Sequence, residues 1–121
     1  MSHTILIVDD SPFTREALCE LFEQEQDFDV CGDAENGREA IELAQALHPD
    51  LILLDLLMPV MNGLDAARVL KRVMPEIPLL MYSANSDWFT EKEARSAGLS
   101  ALVSKSAHTS VLIDKARSLV Q

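Results

Sequence analysis

Four short apolar segments, each followed at once by a polar residue, constrain the fold of this 121-residue chain more than any other feature. Short apolar segments bounded by turn signals are typical of strands that are buried on both faces of a parallel sheet. The segments are residues 4–8, 51–54, 79–82 and 101–104. If these strands are parallel neighbours, the polar residues that follow them meet at one edge of the sheet.

These polar residues have the chemistry of a metal site. They comprise three carboxylates, a hydroxyl and an ammonium group, from Asp9, Asp10, Asp55, Ser83 and Lys105. Crowded carboxylates repel one another unless a cation lies among them, and oxygen-rich clusters suit Mg²⁺. The sequence therefore predicts a magnesium-dependent site for phosphoryl chemistry.

The segments between the strands have the apolar spacing and the capping residues of helices. Ser11 is the predicted cap of the first helix, with Pro12 at its first position, and Asn36 with Glu39 predicts a capping box for the second. The predicted buried faces of these two helices are Phe13, Ala17, Leu18, Leu21 and Phe22, and Ala40, Ile41, Ala44 and Leu47. The pattern further predicts a strand over residues 28–31, a helix from Trp88 to about Ala97 capped by Asp87, and a last helix capped by Thr109.

Composition limits the classes of protein to which the chain can belong. Its length predicts a single domain over residues 1–121, and its apolar segments are too short to span a membrane. The first residues lack the charged and apolar regions of a signal peptide. The chain has two cysteines, Cys19 and Cys31, and buried, reduced thiols are favoured over a disulfide. Reduced thiols in turn favour a cytoplasmic location. The formal net charge of −10 predicts that this domain alone does not bind nucleic acid.

The chain resembles the receiver domain of two-component response regulators along essentially its whole length. The segments that carry the resemblance are residues 8–11, 55–59 with Gly63, residues 82–84, 97–98 and 104–106, and their order and spacing together are highly specific. Residues 11–37 and 105–107 look most like receivers that precede a helix-turn-helix output domain. The five βα units predict a doubly wound α/β fold, and the flavodoxin-like strand order 2-1-3-4-5 brings strands one and three together at the switch point.

The resemblance implies a role for each site residue. Asp10 and Asp55 would be carboxylate ligands of Mg²⁺, the backbone carbonyl of Leu57 would be a third ligand, and Asp9 would act through a bound water. Asp55 would be the nucleophile that takes a phosphoryl group from a histidine of a partner kinase. Lys105, the Ser83 hydroxyl, and the amides of Leu57 and Ala84 would hold the phosphoryl oxygens.

The chain departs from the family pattern in the part that relays the signal. The aromatic residue that commonly lies three positions before the lysine is Leu102 here, and the usual proline after the lysine is Ser106. Ser83 and Leu102 are therefore the candidate switch residues, and Leu57 and Asn85 are expected to tune the lifetime of the phosphate. We expect the signal to travel through residues 84–87 and the helix begun by Trp88.

Several functions are compatible with an aspartate at a strand end. The leading interpretation is a phosphoacceptor that is not an enzyme toward other substrates. Its surface at the fourth helix and fifth strand would control an output domain, a partner or homodimer formation. A haloacid-dehalogenase-like phosphatase would need a second aspartate at the position of Leu57, and a flavin-binding module would need a hydroxyl-rich loop in place of Asp9 and Asp10. A degenerate receiver that acts only by binding is a further alternative.

Overall fold

The computed structural model describes residues 2–84 and 91–121. Within them, five strands alternate with five helices along the chain. The elements are β1 (His3–Val8), α1 (Pro12–Glu23), β2 (Phe28–Ala34), α2 (Gly37–Leu47), β3 (Leu51–Asp55), α3 (Gly63–Val73), β4 (Leu79–Ser83), α4 (Glu91–Ala97), β5 (Ala101–Ser104) and α5 (Thr109–Val120). No helix among these residues is both long enough and apolar enough to cross a bilayer.

The strands form one parallel sheet in the order β2-β1-β3-β4-β5, which confirms the predicted doubly wound topology. Val8 pairs with Leu54, Asp55 pairs with Tyr82, and Ser83 pairs with Ser104. This register aligns the carboxyl ends of four neighbouring strands, β1, β3, β4 and β5. The residues that follow these strands therefore lie side by side.

Each face of the sheet is covered by its own apolar core. On one face, side chains of α1 and α5 such as Leu18, Phe22 and Leu112 pack on strand residues that include Ile5, Ile7, Leu51, Leu53 and Leu80. On the other face, small and apolar residues of α2, α3 and α4 pack on the alternate positions, which include Leu6, Val8, Ile52, Leu54 and Met81. Because the strands are buried on both sides, their apolar segments are continuous rather than alternating.

The predicted helix ends are confirmed in most cases. The amide of Thr14 donates to the Ser11 hydroxyl at 3.3 Å, and the amide of Glu39 donates to Asn36 Oδ1 at 2.9 Å. His48 ends α2 in the left-handed region at φ 49°, and Gly98 follows α4 at φ +95°, a conformation that glycine adopts without a steric penalty. The cap of α5 is His108, not Thr109, because His108 Nδ1 accepts from the amide of Ser110 and Thr109 is already helical.

Three other predictions about local structure were wrong. Phe13 is 83% exposed and Ala17 is exposed, because the core side of α1 is set by Leu18 and Phe22, and Phe13 lies about 140° around the helix from Leu18. Leu47 is 41% exposed at the end of α2. The strand β2 continues beyond Cys31 to Ala34, because its pairing with β1 resumes after a bulge at Cys31. The predicted cap Asp87 and the helix start at Trp88 lie outside the described residues.

Candidate functional site

Three carboxylates converge at the carboxyl ends of β1 and β3. Asp9 and Asp10 follow β1, Asp55 ends β3, and one oxygen of each lies within 4.8 Å of the others. Asp9 and Asp55 are buried, with 1% and 6% of their surface exposed, whereas Asp10 is exposed. The arrangement is therefore an acidic cluster with two buried carboxylates and one that faces solvent.

Asp9 is held in place by contacts to each of its polar groups. Its amide donates to the carbonyl of Ala34 at 3.0 Å, and its Oδ1 accepts from the amide of Ser11 at 2.9 Å. Its own carbonyl accepts from a guanidinium nitrogen of Arg15 at 2.7 Å. Because Asp10 lies between Asp9 and Ser11, these bonds also fix the backbone of Asp10.

Lys105 places an ammonium group among the buried carboxylates. Its Nζ lies 3.1 Å from Asp55 Oδ1 and 3.5 Å from Asp9 Oδ2. The backbone amide of Lys105 donates to the carbonyl of Ser83 at 2.9 Å, which ties the end of β5 to the end of β4. The Nζ also lies 5.5 Å from the centre of the Tyr82 ring, within the range of a cation–π contact. The lysine head is thus positioned from several sides.

Burial and pairing act in opposite directions on this pair. Burial, followed by the charge of Asp9, raises the pKa of the Asp55 carboxyl, and the hydrogen bond from Lys105 works against this rise. Burial alone would lower the pKa of Lys105, but the hydrogen bond to Asp55 and the charges of Asp55 and Asp9 raise it. Lys105 therefore remains protonated at neutral pH, and its positive charge favours the ionised form of the Asp55 carboxyl group.

The loop after Asp55 turns sharply back toward the strand. The amide of Leu56 donates to Asp55 Oδ1 at 2.9 Å, and the amide of Gly63 donates to the carbonyl of Leu56 at 2.8 Å. A Cβ at position 63 would lie 2.1 Å from the carbonyl oxygen of Asp55, so only glycine allows this approach. Leu57 is 48% exposed and follows Asp55 by two residues in this loop.

The remaining predicted site residues lie at the ends of β4 and β5. Ser83 is 3% exposed at the end of β4, and Ala84 follows it at the surface. Leu102 is partly buried in β5, pairs with Met81 and packs against the core under α2, α3 and α4. Asn85 and Trp88, which the sequence connected with phosphate lifetime and with the relay, lie outside the described residues.

The donor set fits the magnesium ion that the sequence predicted. Carboxylate and carbonyl oxygens are the ligands that Mg²⁺ prefers, and a site with one solvent-facing carboxylate suits an ion that keeps several waters. No histidine or cysteine belongs to the cluster that the described residues form, so softer metals are not favoured.

Three residues contribute to the site although the sequence analysis gave them no role there. Arg15 contacts the backbone of Asp9, Tyr82 lies beside Lys105, and Gly63 permits the close approach of its backbone to Asp55. Gly63 carried a signal, since it closes the segment that begins at Asp55. Arg15 carried none, because its partner is a carbonyl that every residue has.

Comparisons with known proteins identify the family. The family model described as "Response regulator receiver domain" matches residues 5–117. The chain belongs to the response regulator receiver family. Receiver domains of two-component systems are phosphorylated on an aspartate, bind Mg²⁺ at an acidic cluster, and interact with histidine kinases or phosphotransfer proteins. Membership of this family argues against the phosphatase and flavin-binding alternatives.

Individual relatives and solved structures agree with the family. A protein-glutamate methylesterase/protein-glutamine glutaminase from Hahella chejuensis is 48% identical over 84 residues, which are 69% of this chain and 21% of that protein. The receiver therefore spans about a fifth of the length of this curated relative. The response regulator domain of Thermotoga maritima CheB has a TM-score of 0.90 at 27% identity, with 99% of this chain and 97% of that chain covered.

A LuxR-family response regulator from Aurantimonas has the same TM-score of 0.90 at 25% identity, with 99% of this chain and 86% of that chain covered. The receiver is therefore similar both to a receiver of the LuxR family and to the receiver of a methylesterase. These similarities support the fold and the family.

Proposed function

We propose that this receiver takes a phosphoryl group from a phosphohistidine of a histidine kinase or phosphotransfer domain and carries it on Asp55. The observation that carries the proposal is the position of Asp55. Its carboxylate lies within 4.8 Å of those of Asp9 and Asp10 and 3.1 Å from the ammonium group of Lys105. A nucleophilic carboxylate needs both a cation to balance charge and a site that is open to the donor.

The transfer exchanges one bond for another. A carboxylate oxygen of Asp55 attacks phosphorus, the P–N bond to the donor histidine breaks, and an acyl phosphate forms on Asp55 while the imidazole nitrogen leaves with the bonding electron pair. Lys105 then pairs with a phosphoryl oxygen as a compact charge. The Ser83 hydroxyl and the amides of Leu57 and Ala84 donate to the other phosphoryl oxygens.

The acidic residues also provide the metal site of this proposal. Asp10 and Asp55 would be carboxylate ligands, the carbonyl of Leu57 would be a further ligand, and Asp9 would hold a metal-bound water. When bound, Mg²⁺ offsets the negative charge on the phosphoryl oxygens. Lys105 offsets part of the charge of the two buried carboxylates, at 3.1 Å from Asp55 and 3.5 Å from Asp9.

The signal leaves the site through the end of β4 and the segment that follows it. The hydroxyl of Ser83 moves toward the phosphoryl group. Residues 84–87, which we call the Ala84 loop, follow it, and the surface of α4 and β5 changes as a result. Leu102 lacks the polar tip of an aromatic tyrosine and is partly buried, so it cannot report a changed position through a hydrogen bond. The Ala84 loop, rather than Leu102, carries most of the change in this proposal.

The wider setting follows from the family and the composition. Residues 1–121 act as one receiver domain that catalyses only its own phosphorylation and dephosphorylation. The receiver then controls an output domain, a separate partner or homodimer formation, and it binds neither nucleic acid nor membrane by itself. A cytoplasmic location is supported by two free cysteines, Cys19 and Cys31. The helix-turn-helix output is supported by similarity to a LuxR-family regulator, and a methylesterase output by the curated relatives.

Intact-mass spectrometry after brief incubation with acetyl phosphate and MgCl₂ tests the proposal. We expect one phosphoryl group on the wild type and none on Asp55→Asn or in the presence of EDTA. Asp65→Asn is the matched control, because Asp65 is exposed on α3 and bonds Arg68 instead of the cluster. Labelling that persists in Asp55→Asn, or that does not depend on divalent metal, would contradict the assignment.

A further inference from the structure

Arg15 contacts the backbone of the acidic cluster, and neither the sequence motifs nor the proposed transfer uses it. One guanidinium nitrogen donates to the carbonyl of Asp9 at 2.7 Å, and Nε donates to Asp33 Oδ2 at 3.2 Å. The Arg15 side chain is 18% exposed, whereas that of Asp33 is 52% exposed. The fork of the guanidinium therefore bridges α1, the end of β1 and the end of β2.

The Asp9 carbonyl is a critical point for this bridge. The two residues that follow it are Asp10, a proposed metal ligand, and Ser11, whose amide holds Asp9 Oδ1 at 2.9 Å. The amide of Asp9 is already tied to Ala34 at 3.0 Å. With Arg15 on the carbonyl, the peptide planes on both sides of Asp9 are anchored, so the direction in which Asp10 leaves the strand is set.

We propose that Arg15 is a positioning residue for the metal site: through the Asp9 carbonyl it orients the Asp9 and Asp10 carboxylates for Mg²⁺. The inference rests on the proposed function, since it needs the acidic cluster to be the Mg²⁺ site. Groups that orient metal ligands without touching the metal commonly change affinity by about 10- to 100-fold when they are removed. A lysine cannot replace the guanidinium, because a single ammonium is a point charge without the two-pronged geometry.

Positioning and electrostatics predict opposite effects of removing Arg15, which makes the inference easy to test. Loss of a positive charge beside three carboxylates would by itself attract a cation more strongly. Loss of the anchor on Asp9 would instead weaken Mg²⁺ binding, because the ligands must be ordered when the ion binds. A purely structural role would lower the free energy of unfolding and leave Mg²⁺ affinity unchanged.

The chain contains a matched control for the removal of an arginine. Residues 1–62 hold fourteen of the twenty acidic residues but only two of the ten basic ones, Arg15 and Arg38. Arg38 is 73% exposed on α2 and pairs with Glu42 of its own helix at 3.6 Å. Arg38→Ala therefore makes the same change in net charge in the same acidic half of the chain, without touching Asp9.

Isothermal titration of the full chain with MgCl₂, at two salt concentrations, provides the measurement. We expect Arg15→Ala to raise the Kd for Mg²⁺ about tenfold, Arg15→Lys to recover only a small part of this loss, and Arg38→Ala to leave the Kd unchanged or slightly lower. Folding is checked by urea unfolding without metal. If Arg15→Ala does not fold, Arg15→Lys, which keeps the charge, provides the same test.

The outcomes separate this inference from the proposed function. Mg²⁺ binding that Asp10→Asn abolishes, but that Arg15→Ala leaves unchanged or tightens, contradicts the positioning role alone. Full recovery in Arg15→Lys also contradicts it, because charge would then be sufficient. A wild-type chain that does not bind Mg²⁺ contradicts the proposed function, and the positioning role is then overturned with it.

Discussion

Two clusters in this receiver each place three carboxylates around one cation, yet they differ in burial and in the shape of the cation. At the carboxyl ends of the strands, Lys105 lies between the buried Asp55 and Asp9, with Asp10 beside them. At the opposite end, Arg117 of α5 bonds Asp27 at 2.6 Å and Glu25 at 2.9 Å, and it lies 3.7 Å from Asp114. The carboxylates of the first group lie close to one another, whereas those of the second contact different nitrogens of one guanidinium group.

The difference shows how the same charges can serve chemistry or stability. The guanidinium of Arg117 offers several donors in one plane, so it satisfies Asp27 with two bonds and Glu25 with a third. The single ammonium of Lys105 must be shared between two buried carboxylates. Buried carboxylates that one ammonium group cannot fully satisfy are unfavourable for folding, and they are also what binds a metal ion.

The largest expected effect comes from the crowded backbone beside Asp55. Gly63→Ala should lower the free energy of unfolding by about 3 kcal/mol or more, because the new Cβ would lie 2.1 Å from a backbone oxygen that cannot move aside. Urea unfolding measures the change. Gly32→Ala is the control, since its Cβ would meet the flexible Leu47 side chain at 3.0 Å, and a loss as large as that of Gly63→Ala would show that the crowding at Asp55 is not special.

Removing one acid should have opposite signs in the two clusters. Without metal, Asp10→Asn should stabilise the fold by about 1 kcal/mol, because it relieves repulsion from Asp9 and Asp55. The same variant should lose the stabilisation that Mg²⁺ gives the wild type. Asp27→Asn should instead destabilise the fold, because it removes a charged partner of Arg117. Urea melts with and without MgCl₂ test both, and a destabilised Asp10→Asn would contradict the repulsion argument.

The cluster around Arg117 should respond to acid in a defined direction. The hydrogen bond from Arg117 lowers the pKa of the Asp27 carboxyl below its usual range. A depressed pKa contributes stability that is present above the unfolded value of about 3.9 and is lost as the pH falls through the folded value. Arg117→Ala should therefore lower the urea midpoint slightly at pH 7, and the gap to the wild type should close below about pH 4. A gap that stays constant down to pH 2 would show that the pairing is not its source.

The smallest effect concerns the relay of the signal. Beryllofluoride, which mimics a phosphoryl group on Asp55, should shift the fluorescence of Trp88, the single tryptophan of the chain. Ser83→Ala should weaken the shift, and Leu102→Ala should leave most of it, because Leu102 offers no polar tip. Arg117→Ala is the control from the Arg117 cluster and should leave the shift intact. If Leu102→Ala removes the response as fully as Ser83→Ala, the relay runs through β5.

The sheet and the acidic cluster could be predicted because both follow from local patterns. A continuous apolar segment ending in Asp55 or Asp9 indicates a buried parallel strand and its carboxyl end, and the topology then brings the two residues together. The exposed position of Phe13 could not be predicted in this way, because several faces of α1 contain apolar residues. Contacts with the sheet, made by Leu18 and Phe22, decide which face is buried.

Other features depend on contacts that leave no pattern in a sequence. The extension of β2 to Ala34 includes Gly32 and Asp33, which have low strand propensity, and it results from pairing with β1. The observed cap of α5, His108, differs by one residue from the predicted cap, Thr109, because both side chains can accept a backbone hydrogen bond. The contact of Arg15 with the Asp9 carbonyl required the backbone to be placed first. Long-range partners of this kind become visible only in three dimensions.

The uneven distribution of acidic residues along the chain has a consequence for encounters in solution. Residues 1–62, which include β2, β1 and β3, contain fourteen acids and two bases, whereas the remaining residues contain six acids and eight bases. The domain therefore has a permanent electric dipole as well as a net charge. A cationic protein that diffuses toward it is turned to meet the side of β2 first, and added salt slows that approach. The rate at which a charged partner associates with this receiver therefore depends partly on which strands and helices carry the acidic residues.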